Sequence, residues 1–315
     1  MAVDVPRIGR IMLPLDGSPL AERALPLGLE LAGRARAALR LVLVHQAPPT
    51  PVDRAAARLA RQVDLSVRRA ERDYLRQLQA RLAPSAPKGR IRGVTLTGPV
   101  PETLAKYVAE LGVDLVVMAT HGRGGFQRAW LGSVADRLVR TLEIPVLLVR
   151  AGDEAPVQPP RGGMVLVPLD GSPLAEDALG PAVALARLLD ADVQLVQVVR
   201  PAMLPTDASY HLPSTYDEAT TAIFRREAQD YLDDMAEQVH SAGARASGRA
   251  VLGWSAAETL LELSRSEPVG LIAIATHGRS GLRRAALGSV ADKLVRGAPV
   301  PVLVSRPRGG RRARD

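Results

Sequence analysis

The sequence predicts an α/β protein built from two similar, doubly wound domains, each with a five-stranded parallel sheet, and three observations lead to that prediction. The chain has 315 residues, enough for two domains of about 150 residues each. Two segments recur in the same order about half a chain apart. In both copies apolar runs alternate with amphipathic stretches, a pattern typical of a parallel sheet covered by helices on both faces.

The repeat extends over whole domains. The segment IMLPLDGSPLAERAL at 11–25 returns as VLVPLDGSPLAEDAL at 165–179, with 11 of 15 positions identical. The segment ATHGRGGFQRAWLGSVADRLVR at 119–140 returns as ATHGRSGLRRAALGSVADKLVR at 275–296, with 17 of 22 identical. Repeats with a period this long indicate duplication of a complete unit. We therefore predict a first domain at 1–150, a Pro- and Gly-rich linker at 151–163, a second domain at 164–306 and a basic tail at 307–315.

Short runs of Val, Ile and Leu predict the strands of the first copy. They lie at Ile11–Leu15, Leu39–Val44, Ile91–Leu96, Leu115–Ala119 and Val146–Val149. In such folds a ligand binds beyond the carboxyl ends of the strands, where the strand order reverses.

A long amphipathic helix is predicted between the second and third strands of each copy, because apolar residues recur there at spacings of three and four. In the first copy these residues are Leu59, Val63, Val67, Ala70, Tyr74, Leu78 and Leu82, and in the second they are Phe224, Ala228, Tyr231, Met235 and Val239.

Composition excludes several function classes. The chain has no cysteine, which excludes disulfides, thiolate metal sites and cysteine nucleophiles. It has nine aromatic residues (two Trp, five Tyr, two Phe), too few for surfaces on which bases stack. The N-terminus does not resemble a signal peptide and no apolar run is long enough to span a membrane. We therefore expect a cytoplasmic protein without a membrane partner.

The net charge of +8 raises the question of nucleic acid binding. The last ten residues, RPRGGRRARD, contribute +4 of that charge. Such a tail can contact phosphate backbones or can simply be a solvated terminus. Because no recognition-helix or aromatic signature accompanies the charge, we do not expect nucleic acid as a partner.

The repeated glycine segment is a candidate phosphate site. It follows the strand Leu115–Ala119 and leads into a helix that begins near Ser133. Gly122 and Gly132 leave backbone N–H groups uncovered, and a helix N-terminus attracts phosphate. Ser133 is either an N-cap or a hydroxyl donor to phosphate. The alternative is that the glycines only close a strand-to-helix turn.

An acidic residue follows the first strand of each copy. Asp16 and Asp170 stand where a carboxylate could accept hydrogen bonds from an adenine amino group or a ribose hydroxyl. Each could equally cap the helix that follows. The sequence supports both roles.

At this point the residues resemble a known family. VPLDGSPLAEDAL together with ATHGRSGLRRAALGSVADKLVRGAPVPVLVSR resembles the universal stress protein family, and both halves resemble it from end to end. The resemblance implies a Rossmann-like, adenine nucleotide α-hydrolase-like fold that binds ATP, optionally with Mg²⁺ held by the phosphates. The family's pattern G-x2-G-x9-G-[S/T] begins here with Ala119 and Ala275 instead of glycine. A second departure is Gln46 and Arg200, where the family has an apolar residue. The implied nucleotide-binding residues are Asp16, Gly122, Arg123, Gly132, Ser133 and Val134, and in the second copy Asp170, Gly278, Arg279, Gly288, Ser289 and Val290.

The function expected from this resemblance is a stress-response regulatory protein that binds an adenine nucleotide in each half and is not an enzyme. No catalytic or metal-ligating residue is assigned. One alternative is a slow ATPase in which His121 or Asp16 orients water, and another is an interaction module that needs no nucleotide. Family members are typically dimeric through their last strand, so we expect the halves to form an internal pseudo-dimer through the strands at Val146–Val149 and Val302–Val304. Further pairing of whole chains as a homodimer stays open.

Overall fold

The computed structural model describes residues 3–49, 53–85, 90–120, 131–150, 163–203, 216–276 and 287–306. The chain divides into two compact units: Arg7–Pro159 forms one, and Pro160–Asp315 together with Met1–Pro6 forms the other. The N-terminal residues thus belong to the second unit. The predicted linker lies outside the described residues except for Gly163, and its boundaries stay a prediction.

The first unit has a five-stranded sheet in which every pair of neighbours is parallel. Its strands are β1 (Arg10–Leu15), β2 (Ala38–His45), β3 (Ile91–Thr97), β4 (Leu115–Ala119) and β5 (Val146–Val149). Their spatial order is β3-β2-β1-β4-β5, and Ile11 lies opposite both Leu39 and Leu115. The order therefore reverses between β1 and β4, the position where α/β sheets of this kind hold ligands. All five predicted strands are confirmed.

The second unit repeats this sheet. Its strands are β6 (Met164–Pro168), β7 (Asp192–Val199), β8 (Ala246–Leu252), β9 (Val269–Ala275) and β10 (Val302–Ser305). Their order is β8-β7-β6-β9-β10, with the reversal between β6 and β9. The structure thus confirms an α/β fold with two Rossmann-like sheets.

Helices separate the strands in both units. Those of the first are α1 (Pro19–Glu22), α2 (Leu25–Arg34), α3 (Arg54–Leu82), α4 (Val100–Leu111) and α5 (Ser133–Thr141). Those of the second are α6 (Pro173–Glu176), α7 (Leu179–Leu189), α8 (Glu218–Ser241), α9 (Ala256–Ser266) and α10 (Ser289–Gly297). Every residue of β4, β5 and β10 is buried, and each buried Val, Leu or Ile side chain contributes about 1.5–3 kcal/mol to folding.

The predicted long helices exist, but the N-terminal part of each apolar stripe is exposed. Leu78 and Leu82 of α3 are buried, whereas Leu59 is 64% exposed and Val63 is 51% exposed. In α8 the first residue of the stripe, Phe224, is exposed as well. The reason is length: a helix of 29 residues is about 43 Å long, whereas the eight residues of β2 span about 26 Å.

Candidate functional site

A tight turn follows the first strand of the second unit and fixes Asp170 at the carboxyl edge of the sheet. The backbone N–H of Ser172 donates to Asp170 Oδ1 at 3.0 Å, and Ser172 Oγ lies 2.6 Å from the same oxygen. Gly171 has a φ of +79°, a conformation that glycine adopts without strain. The N-cap of α6 is Ser172, whose hydroxyl accepts from the N–H of Ala175. The alternative that Asp170 caps this helix is therefore wrong.

The first unit builds the same turn around Asp16. The N–H of Ser18 donates to Asp16 Oδ1 at 2.9 Å, and Gly17 has a φ of +78°. Ser18, and not Asp16, is the N-cap of α1, with its Oγ 3.2 Å from the N–H of Ala21. Both aspartates thus accept hydrogen bonds within the turn that follows the strand and do not cap a helix.

Opposite Asp170, the helix α10 begins with an N-terminus that no side chain caps. Gly288 occupies the N-cap with φ −59° and ψ 150°, and its N–H donates to the carbonyl oxygen of Thr276 at 2.7 Å. Ser289 is the first helical residue and is exposed. The first turn of a helix carries N–H groups without intrahelical acceptors, which favours binding of an anion.

The N-terminus of α5 in the first unit matches this arrangement. Gly132 is the N-cap without a side-chain hydrogen bond, and its N–H donates to the carbonyl oxygen of Thr120 at 2.6 Å. Ser133 is the first helical residue and is exposed. The interpretation of Ser133 as the N-cap is therefore wrong. Ser133 lies instead in the first turn, at the N-terminal end of the helix.

In the second unit the aspartate turn and the helix N-terminus line one cavity of about 290 Å³. Its polar lining includes Asp170, Thr276 and Ser289, and the predicted site residues Gly288 and Val290 also line it. Its apolar walls come from β7, α9 and β9, through Val196, Val198, Ala256, Leu260 and Ile274. An apolar cavity with a few convergent polar groups is the usual form of a small-molecule site.

Alanine is compatible with the position where the family pattern has its first glycine. Ala119 ends β4 and Ala275 ends β9, and both are buried. In the described part of the chain only Arg36 and Asp190 combine a side chain with a positive φ. Neither alanine therefore requires a conformation reserved for glycine.

Four predicted nucleotide-binding residues lie outside the described residues. They are Gly122, Arg123, Gly278 and Arg279. His121, which the ATPase alternative invoked, lies outside them too. Their roles stay predictions.

Sequence reasoning missed a buried polar cluster in the first unit. His45, at the end of β2, is 1% exposed; its Nε2 lies 2.7 Å from Asp64 Oδ1 and its Nδ1 lies 2.8 Å from Glu71 Oε2. Hydrogen bonds from Arg68, first, and from His45 hold the pKa of Asp64 below its usual value. Asp64 and Glu71 are seven residues apart and therefore lie on one face of the helix. This spacing, in a helix that follows a strand ending in His45, was the signal that could have predicted the cluster.

No helix in the described ranges is both long and apolar enough to cross a membrane. Within the same ranges, no group of three His, Asp or Glu side chains has an arrangement that could hold a metal ion.

Known proteins resemble the chain over both units. The family model described as "Universal stress protein family" matches residues 7–150 and 164–306. Universal stress protein Rv2005c of Mycobacterium tuberculosis is 32% identical over 215 residues, which cover 66% of each chain. Universal stress protein Rv1996 of the same organism is 28% identical over 317 residues and 94% of each chain. The solved structure of a universal stress protein from Archaeoglobus fulgidus matches in fold with a TM-score of 0.65 at 18% identity, covering 96% of this chain and 97% of that one.

Proposed function

The chain belongs to the universal stress protein family, and from that premise we propose that it is a regulatory protein that binds ATP in each half and does not turn it over. Stress response is the function of the family as a whole. The finer points, which are the nucleotide, the number of sites and the lack of turnover, are the proposal.

The observation that carries this proposal is the shared cavity of Asp170 and the α10 N-terminus. A carboxylate at one end can accept hydrogen bonds from the amino and hydroxyl groups of a nucleoside. The apolar walls suit a flat base. At the other end, unpaired N–H groups and the helix dipole favour phosphate oxygens. Adenine, ribose and phosphates together match this order of groups.

The first unit supports a second site by having the same parts in the same places. Asp16 sits in a turn like that of Asp170, and Gly132 makes the same hydrogen bond as Gly288. An accompanying Mg²⁺ would be held mainly by the phosphates, since that ion keeps several of its waters.

The test is calorimetric titration of the nucleotide-stripped chain with ATP and Mg²⁺, in parallel with Gly132→Val, Gly288→Val and the double variant. Gly288 and Gly132 both have negative φ, so valine fits the backbone while its side chain obstructs the phosphate position. We expect a stoichiometry near two for the parent, near one for each single variant and no binding for the double variant. Retention of both sites in the double variant would contradict the assignment, and steady phosphate release by the parent would contradict the regulatory role.

A further inference from the structure

The two long helices α3 and α8 hold equivalent places in the two units, yet they carry opposite charge. Each follows the second strand of its unit and precedes the third. Helix α3 contains eight Arg and three acidic residues, a formal charge of +5. Helix α8 contains six acidic residues and two Arg, a formal charge of −4. Duplication gave both helices one ancestor, so this contrast arose after it.

The basic residues of α3 form one exposed stripe around a leucine. They recur at spacings of three and four, which places them on one side of the helix. Leu65, in the middle of the stripe, is 58% exposed. The members of this basic stripe are Arg58, Arg61, Leu65, Arg69, Arg72 and Arg76, all exposed.

The acidic residues of α8 form a stripe with the same spacing. It lies on the side away from the buried residues Ala228, Leu232 and Val239. Ile223, at its N-terminal end, is 57% exposed. The members of this acidic stripe are Ile223, Glu227, Asp230, Asp234 and Glu237, all exposed.

Most of these charges have no partner of opposite sign among the residues that the structure describes. In the part of it that the structure describes, Arg58, Arg61 and Arg69 form no ion pair. The same holds, within those ranges, for Asp230 and Glu237. The only ion pair of the basic stripe there joins Arg76 to Asp73 at 3.5 Å, both largely exposed. The members of each stripe therefore carry one sign around an apolar side chain, with Asp73 beside the basic stripe and the exposed Arg226 beside the acidic stripe.

We propose that the occupant of these surfaces is a second copy of this chain, with the basic stripe of one copy against the acidic stripe of the other. Pairing of α3 with α3, or of α8 with α8, would place like charges opposite each other and is disfavoured. The matching three-and-four spacing suits side-by-side packing of two helices. In a dimer with two-fold symmetry the contact forms twice. Because exposed ion pairs are weak and screened, the association weakens with salt.

The experiment measures the mass of the full chain by light scattering at low and high salt. We expect twice the chain mass of 33.5 kDa at low salt and one chain mass at high salt. Arg61→Glu with Arg69→Glu lowers the formal charge of the basic stripe from +5 to +1, and Asp230→Arg with Asp234→Arg raises that of the acidic stripe from −4 to 0. Each variant alone is expected to be monomeric, because one of the two stripes in every contact has then lost most or all of its net charge.

Charge exchange separates this contact from every other surface. An equimolar mixture of the two variants is expected to recover dimers at low salt, because the unaltered basic stripe of one variant can then pair with the unaltered acidic stripe of the other. Arg92→Glu with Lys106→Glu changes the net charge by as much as the α3 variant does, but at exposed positions outside both stripes. This control should leave the mass of the parent unchanged.

Three results would overturn the proposal. One is a monomeric parent at low salt, and another is a dimer that the stripe variants do not dissociate. The third is failure of the mixture to reassociate although both variants are folded by circular dichroism. A parent that is monomeric but loses affinity for a duplex oligonucleotide on Arg61→Glu with Arg69→Glu would make the basic stripe a polyanion site instead.

Discussion

The imidazole of His45 lies 2.7 Å from the carboxylate of Asp64 and so joins the buried end of β2 to the middle of α3. Glu71 holds the other ring nitrogen at 2.8 Å. In the second unit Val199 ends the equivalent strand, and α8 has no such connection to it. The first unit thus has a polar connection between its long helix and its sheet that has no equivalent at Val199.

Replacing His45 with the residue of the other half tests how much this connection stabilises the fold. We expect His45→Val to lower the free energy of unfolding by about 1–3 kcal/mol, because two largely buried carboxylates lose a hydrogen-bonding partner. Urea denaturation at pH 7 measures the change. Adding Asp64→Leu and Glu71→Leu removes the two carboxylates that His45→Val leaves without this hydrogen-bonding partner. The triple variant should recover much of the lost free energy of unfolding. An unchanged unfolding midpoint for His45→Val would mean that the hydrogen bonds of His45 add nothing to the stability of the fold.

The stability of the first unit is expected to depend on Asp64 in acid. Arg68 and His45 lower the pKa of this carboxylate in the folded state. A lowered folded pKa contributes stability above the unfolded value, about 3.9, and that contribution is lost as pH falls through the folded pKa. Asp64→Asn should therefore be less stable than the parent at pH 7, and the two should converge toward pH 3.

The measurement is the free energy of unfolding from urea titrations at several pH values between 7 and 3. Asp73→Asn removes a more exposed carboxylate from the same helix, one whose ion pair with Arg76 spans 3.5 Å, and serves as the control. Parallel pH profiles for the parent and Asp64→Asn would show that the hydrogen bonds to Asp64 add nothing.

Two helical glycines offer a matched test of the N-terminal segment. A Cβ on Gly180 of α7 would lie 2.1 Å from the carbonyl oxygen of Asp4, whereas a Cβ on Gly33 of α2 would meet no atom within 4 Å. We expect Gly180→Ala to displace the segment around Asp4 and to increase hydrogen exchange there. Gly33→Ala should instead stabilise its unit by about 0.5–1 kcal/mol, since alanine favours the helix. Equal protection of the segment in both variants would contradict the close approach.

The proposed nucleotide sites are expected to differ in room for the base, a prediction that depends on the proposed function. Ala256, the first residue of α9, lines the cavity, and Val100 is the first residue of α4. Ala256→Val puts a branched side chain into the second site and should weaken it about tenfold or more, given the roughly 1–3 kcal/mol cost of overpacking.

Calorimetry in a Gly132→Val background isolates the second site for this measurement. The reciprocal Val100→Ala in a Gly288→Val background should strengthen the first site or leave it unchanged. The contrary result, in the Gly132→Val background, is that Ala256→Val binds ATP as tightly as its parent while Gly288→Val abolishes binding. That result would support the assignment of the second site and would contradict the prediction that the space around Ala256 limits binding of the base.

The strands and the duplication could be predicted because they follow from local pattern. Buried parallel strands need continuous apolar runs, so Leu115–Ala119 and Val146–Val149 were predicted with their observed bounds. The burial of the long helices could not be predicted in the same way. An apolar stripe shows which side of a helix can be buried, but the length of the neighbouring sheet decides whether Leu59 is covered.

The candidate site was predictable in its parts but not in its detail. The sequence places Asp170 after a predicted strand and Gly288 before a predicted helix. The order of the strands then brings both residues to the carboxyl edge of the same sheet. The alternatives in which Asp16 and Ser133 are N-caps were wrong, because the caps are Ser18, two residues after Asp16, and Gly132, one residue before Ser133. The cluster of His45 was missed because its partners are 19 and 26 residues away.

Met1–Pro6 belong to the second unit. The boundaries of the duplicated segments therefore differ from the boundaries of the compact units. The duplicated segment begins after these residues, yet Asp4 and Pro6 pack where α7 leaves room at Gly180. A second half expressed alone from residue 160 would lack a piece of its own surface. A tag or truncation at the N-terminus, intended for the first half, would first disturb the second.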